Sequence, residues 1–158
     1  MTAGNHSDDK GGPLSSGWHA LVCELLVEEI SKSQAFWCDV LGFRVAYERE
    51  SEKFVYLERQ LKDGRGAQVM LCQRSGRWET GPMTPPLGQG VMFQICVDDI
   101  SSLQDALACA NWPIHSSLRD IWRTVGDREQ GQREIFVLDP DGYLLMLYQA
   151  LGERPAQN

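Results

Sequence analysis

Residues Ala20 to Val27 are apolar at nearly every position, interrupted at Glu24, a run that predicts a strand covered on both faces. Ser31 then caps a predicted helix, with Gln34 at capping-box spacing and Ala35, Phe36, Val40 and Leu41 recurring on one face. Gly42 stops that helix at the usual C-terminal position. Short strands follow over about 43–49, 53–60 and 67–73, separated by polar and glycine punctuation. Residues 74–88 hold Gly76, Gly81, Pro82, Pro85, Pro86 and Gly88, a linker loop that also presents Trp78. The plan then restarts with a strand over about 90–97, a helix over 101–110, and strands near 113–118, 121–125, 133–138 and 143–149. Asp139-Pro140-Asp141-Gly142 carries the residues of a tight turn and joins the last two strands as a hairpin.

The restart is visible residue by residue. Val27-Glu28-Glu29-Ile30-Ser31 returns as Val97-Asp98-Asp99-Ile100-Ser101 seventy positions later. Val69-Met70-Leu71-Cys72-Gln73 returns as Leu145-Met146-Leu147-Tyr148-Gln149 seventy-six positions later. Two repeats in the same order at nearly equal offsets predict an α+β protein in which one module, a strand and helix followed by further strands, is built twice. The expected organisation is a flexible tail over 1–17, a first module over 18–73, the linker over 74–88, a second module over 89–150 and a C-terminal tail over 151–158.

Composition narrows the picture further. A chain of 158 residues with 42% hydrophobic and 23% charged positions has ordinary globular composition, and no apolar run is long enough for a membrane span. The net charge of −7 gives no attraction to nucleic acid or anionic lipid and favours cationic small molecules. Cys23, Cys38, Cys72, Cys96 and Cys109 are odd in number, scattered through apolar stretches and free of C-x-x-C spacing, which points to a reducing cytoplasm. The N-terminus has no charged-then-apolar signal pattern.

Phe36-Trp37-Cys38-Asp39-Val40-Leu41-Gly42-Phe43 resembles the F-Y-x-x-x-L-G-F signature of the vicinal oxygen chelate superfamily, which includes glyoxalase, bleomycin-resistance and extradiol-dioxygenase proteins. The stretch from Gly131 to Tyr143, with Arg133-Glu134 and Asp139-Pro140-Asp141-Gly142, is similar to the ending found in the bleomycin-resistance branch. The resemblance spans roughly residues 19–150 and implies two tandem βαβββ modules whose curved, mixed sheets form cups with helices outside, in a chain that usually dimerises. In the superfamily's enzymes, a divalent metal sits in the cup on one side chain from the first and one from the last strand of each module. Carried onto this sequence, those positions are Val22, Met70, Met92 and Met146.

None of the four offers an imidazole nitrogen or a carboxylate oxygen, so no metal and no cofactor is expected, and the thioethers read as an adaptable apolar lining. His19 would serve as a ligand only if the first strand were displaced by three residues, which also reverses its facing. Strand alternation then directs Val22, Glu24, Met70, Cys72, Met92, Gln94, Met146 and Tyr148 into the cup, and Leu25, Val27, Phe93, Ile95, Val97, Leu145 and Leu147 toward the helices. Glu24 reads equally as a cation-selecting group open to a ligand and as a carboxylate paired with an Arg or lying at a wet strand edge. Trp37 reads as core or dimer contact, and Trp112 as a further aromatic candidate. Trp78 and Trp122 read as cleft walls, and Arg133-Glu134 as a surface ion pair or a polar hook at the rim.

The functional expectation is a cytoplasmic, metal-independent homodimer that binds a cationic, partly aromatic small molecule, in the manner of proteins that sequester bleomycin-type antibiotics. The rival is a lyase, isomerase or dioxygenase of the same superfamily with displaced metal ligands such as His19, Glu24 or His115.

Overall fold

The computed structural model describes residues 9–11 and 17–156. Most of the expected N-terminal tail lies outside the described residues. The chain divides between Pro82 and Met83 into two units.

In unit 1, β1 (Asp9–Gly11), β2 (Cys23–Val27), β3 (Arg44–Arg49), β4 (Phe54–Gln60) and β5 (Gly66–Gln73) form one sheet in the order β1-β3-β4-β5-β2. In unit 2, β6 (Met92–Cys96), β7 (Ile114–Val125), β8 (Arg128–Leu138) and β9 (Leu144–Pro155) form the order β6-β9-β8-β7. One helical segment follows the first core strand of each unit: α1 (Ile30–Ala35), continued by a π-helical turn Phe36–Val40, and α2 (Ile100–Cys109). The two βαβββ modules are therefore present, each as a curved mixed sheet with its helix on one face, and neither closes into a barrel.

In each unit the first and last core strands lie side by side and parallel, and the sequence repeat maps onto this pairing. Glu24 is opposite Met70 in β2/β5, and Gln94 is opposite Met146 in β6/β9. The repeated glutamine has a structural reason. Gln73 Oε1 accepts from the Ile30 N–H at 3.3 Å, and Gln149 Oε1 accepts from the Ile100 N–H at 3.0 Å. A side chain from the last strand thus satisfies one of the unpaired donors at the start of each helix. Ser31, expected as the first helix's cap, instead sits inside its first turn, and Glu29 occupies the cap position. In α2, Asp99 caps through its side chain, accepting from Ser101 N at 2.9 Å and from Ser102 Oγ at 2.6 Å.

The face of each sheet turned to its helix is dry. Leu25, Val27 and Leu71 pack with Phe36, Trp37 and Leu41 in unit 1, and Ile95, Leu145 and Leu147 pack with Ile100, Leu103 and Leu107 in unit 2, all buried. Burying each such side chain contributes about 1.5–3 kcal/mol, which is what holds short helices that would be unstable alone. Trp37 is core, edge-on to Phe43 with ring centroids 5.1 Å apart.

Two boundaries differ from the sequence reading. The strands expected at 113–118 and 121–125 are one twelve-residue strand, β7, whose register shifts between Ile114 and Arg119 absorb the irregular pattern that suggested a break. The last strand continues to Pro155, through most of the expected C-terminal tail, because β8 extends alongside it to Arg128.

The turn at Asp139 is tight on all sides. The Asp139 carboxylate accepts from the N–H groups of Asp141 and Tyr143 at 3.0 and 2.9 Å, and Gly142 adopts φ +92°. A Cβ at Gly142 would lie 2.8 Å from the Pro86 Cα. Gly142→Ala should therefore destabilise the fold by about 1–3 kcal/mol, from combined left-handed backbone and overpacking. A lowered urea midpoint with unchanged slope is the expected measurement.

Candidate functional site

The face of each sheet away from its helix is the open face, and the two open faces differ in chemistry. In unit 1 the cross-strand row Glu24, Met70, Tyr56, Tyr47 follows directly from the pairing register. Tyr47 and Tyr56 stack with centroids 5.1 Å apart, and Trp18 lies edge-on to Tyr56 at 5.4 Å. Gln68 fastens the incoming segment over this row: it accepts from Tyr56 Oη at 2.7 Å and His19 N at 3.1 Å, and donates to the Gly17 carbonyl at 2.5 Å. Arg49 covers the Phe54 ring at 3.8 Å, and buried Glu58 pairs with Arg44. Glu24 stays exposed at the end of the row, beside half-buried Met70.

In unit 2 the open face holds a cleft of about 540 Å³ lined by Met92, Gln94, Arg123, Val125, Gln130, Gln132 and Met146. Its wall contains a charged cluster built on β7 and β8. Glu134 is 0% exposed, and it accepts from Arg119 Nε at 3.0 Å and from Arg123 Nη2 at 3.0 and 3.2 Å. Arg123 also donates from Nη1 to Gln132 Oε1 at 3.0 Å. Arg119 spreads over the Phe136 ring at 5.5 Å. A buried carboxylate is costly without partners, and two guanidiniums meet that requirement here.

Of the residues singled out in the sequence, Met92, Gln94 and Met146 come together in this cleft, and Tyr148 lies on the same face, opposite Glu134. Glu24 and Met70 are neighbours on unit 1, next to the half-buried Val22. Trp122 and Arg133 point the other way. Trp122 packs flat on Gly131, where an added Cβ would meet the indole at 2.7 Å, and Arg154 stacks on it at 4.0 Å. Arg133 pairs with Asp120 at 2.7 and 2.8 Å, not with Glu134, because adjacent residues of a strand face opposite sides. That bond holds the Asp120 carboxyl below its ordinary range. Trp78 is exposed in unit 1 with Arg77 at 4.6 Å from its ring. Trp112 donates to the Leu138 carbonyl at 2.8 Å and lines a second hollow of about 380 Å³ in unit 2 with exposed His115.

Arg119, Arg123, Gln130 and Gln132 were missed. Their signal is the alternation Arg119, Ile121, Arg123, Val125 on one face of a single strand, which dividing β7 in two conceals.

The chain belongs to the Glyoxalase/Bleomycin resistance protein/Dioxygenase superfamily, whose sequence profile matches residues 19–147. Among solved structures it is similar to a protein of unknown function from Agrobacterium tumefaciens, at 19% identity and TM-score 0.60, covering 85% of this chain and 96% of that one. A virulence protein from Salmonella typhimurium matches at 21% identity and TM-score 0.57, over 81% and 93% of the two chains. A lactoylglutathione lyase from Agrobacterium tumefaciens matches at 14% identity and TM-score 0.52, over 83% and 92%. No curated protein matches the chain. These similarities establish the fold. No helix among the described residues is long and apolar enough to cross a membrane.

The side chains do not fit the metal that the superfamily's enzymes carry. Met70 pairs with Glu24 and Met146 with Gln94 across the parallel strands, and the four positions where the superfamily's enzymes hold the metal are a valine and three thioethers, Val22, Met70, Met92 and Met146. Among the described residues no three His, Cys, Asp or Glu side chains gather as a donor set.

Two predictions arise from these faces. Glu134→Gln replaces a carboxylate that accepts from both arginines by a neutral amide, and should cost about 1–3 kcal/mol, read as a lower denaturation midpoint. Burial pushes the Cys72 thiol up from its ordinary range, with the Glu24 carboxylate adding to the effect, while Cys23 and Cys109 are exposed. Because the thiolate is the nucleophile, an aromatic disulfide reagent at mildly alkaline pH should modify Cys23 and Cys109 well before Cys72, as peptide mapping would show.

Proposed function

We propose that this protein is a metal-independent small-molecule binding protein that sequesters its ligand against the open sheet faces. The observation that carries this reading is the unit 2 cleft, about 540 Å³ walled by two thioethers, a valine, three amides and one guanidinium. That size and mixture of adaptable apolar and polar groups suit an organic ligand.

Cationic, partly aromatic antibiotics of the bleomycin type are the proposed ligand class. The support comes from unit 1, where Glu24 stands exposed at the end of a row containing Met70 and two stacked tyrosines. An exposed carboxylate attracts a cationic group, and the ending from Gly131 to Tyr143 supports the resistance branch. The proposal includes a homodimer working in a reducing cytoplasm, where the five free cysteines stay reduced.

Isothermal titration with a bleomycin-type glycopeptide should give saturable heat with a micromolar or tighter Kd. Protein pretreated with a chelator and desalted should bind equally well. Silence at high micromolar ligand removes this antibiotic class, and affinity that vanishes on chelation removes metal independence.

A further inference from the structure

We infer that the unit 2 cleft is a carboxylate-binding site, in which the Arg123 guanidinium, braced by buried Glu134 and by Gln132, grips the acidic end of a ligand whose apolar part lies on Met92, Met146 and Val125. This deepens the binding reading above by assigning a ligand chemistry to one of its two faces.

Charge is the first argument. Although the whole chain carries −7, Arg119 and Arg123 oppose a single carboxylate, Glu134, and Arg128 balances Glu153 beside the rim residue Gln130. The cluster is left with a surplus of one positive charge. The other cleft residues are neutral, so nothing in the lining cancels that surplus. A cationic group would meet a guanidinium here, the opposite of the situation at Glu24.

Geometry is the second. Glu134 is fully buried while the Arg123 side chain is 47% exposed, so the carboxylate acts as a foundation and the guanidinium as the surface presented to the cleft. Of the three guanidinium nitrogens, Nη1 bonds Gln132 and Nη2 bonds Glu134, and the donors these contacts do not use, Nε–H among them, suit a second carboxylate. Bonds to two partners also fix the fork in place beforehand, which lowers the ordering cost of binding. Lysine offers neither the fork nor its preset plane.

The third argument is the company the charge keeps. Gln94, Gln130 and Gln132 supply neutral amides that bond the oxygen of a carboxylate or amide, while Met92, Met146 and Val125 supply apolar contact. Met92 and Val125 are 46% and 60% exposed, more than large apolar groups usually are. A flat or branched hydrocarbon ending in an acid matches both halves of the lining.

The test uses three probes of one shape: 2-naphthoate, its neutral amide, and 2-naphthylmethylammonium. Binding is followed by NMR of 13C-methyl methionine, which separates the faces, since Met92 and Met146 report on unit 2 and Met70 on unit 1. Naphthoate should shift the Met92 and Met146 methyls with an affinity at least about tenfold above that of the amide, the worth of one charge-assisted pair. In Arg123→Gln that ratio should collapse to within about twofold, and Arg123→Lys should recover only part of it. Thermal melts of both variants verify that they are folded. Equal affinity for acid and amide, tighter binding of the ammonium at Met92 and Met146, or an intact acid preference in folded Arg123→Gln overturns this inference while leaving the small-molecule reading in place. If none of the probes, nor the glycopeptide, moves any of the three methyls, the binding reading falls with it.

Discussion

The parallel pairing of first and last strand within each unit is the constraint from which the rest of the molecule follows. Parallel neighbours cannot be joined by a tight turn, so the chain must cross over, and a helical segment makes that crossing on one face of the sheet. That face is thereby dried by Leu25, Val27 and Leu71 in one unit and by Ile95, Leu145 and Leu147 in the other. The opposite face is left to the side chains that alternate with them, and these include every residue of the unit 2 cleft contributed by β6 and β9. The glutamines that end the two repeats close the arrangement by tying the last strand to the start of the helix it packs beneath.

What was legible in the sequence was whatever depends on period and repetition. The restart of the chain, the helix-facing apolar set, the Asp139 turn and the face shared by Met92, Gln94 and Met146 all follow from local pattern, and the structure places each of them accordingly. Features that depend on partners distant in sequence were not legible. Arg133 and Glu134 are adjacent in the chain and look like a pair, yet alternation sends them to opposite faces, where Asp120 takes one and two arginines take the other. Trp122 looks like a free aromatic wall, but the absence of a side chain at Gly131 makes a seat for it. The length of β7 was hidden by its own irregular register.

Duplication has left two similar frames with dissimilar linings. At corresponding places one unit carries Glu24 and the other Gln94, and where unit 2 has a positive cluster on β7 and β8, unit 1 has an aromatic row. A carboxylate at one position and an amide at its counterpart differ by a full charge while leaving backbone hydrogen bonding untouched. The frame is thus shared and the chemistry is separate, which is why membership in the superfamily fixes the architecture and not the ligand.

The strands β7, β8 and β9 run to eleven or twelve residues, whereas β6 has five. Arg123, Val125 and Gln130 therefore stand on an overhang beyond the part of the sheet that the helix backs. Val125 and Gln130 on that projection stand clear of the buried core, whereas Arg123 is tied back to it through Glu134. Exchanging Val125 or Gln130 thus changes the chemistry of the open face while leaving the helix-backed core as it is.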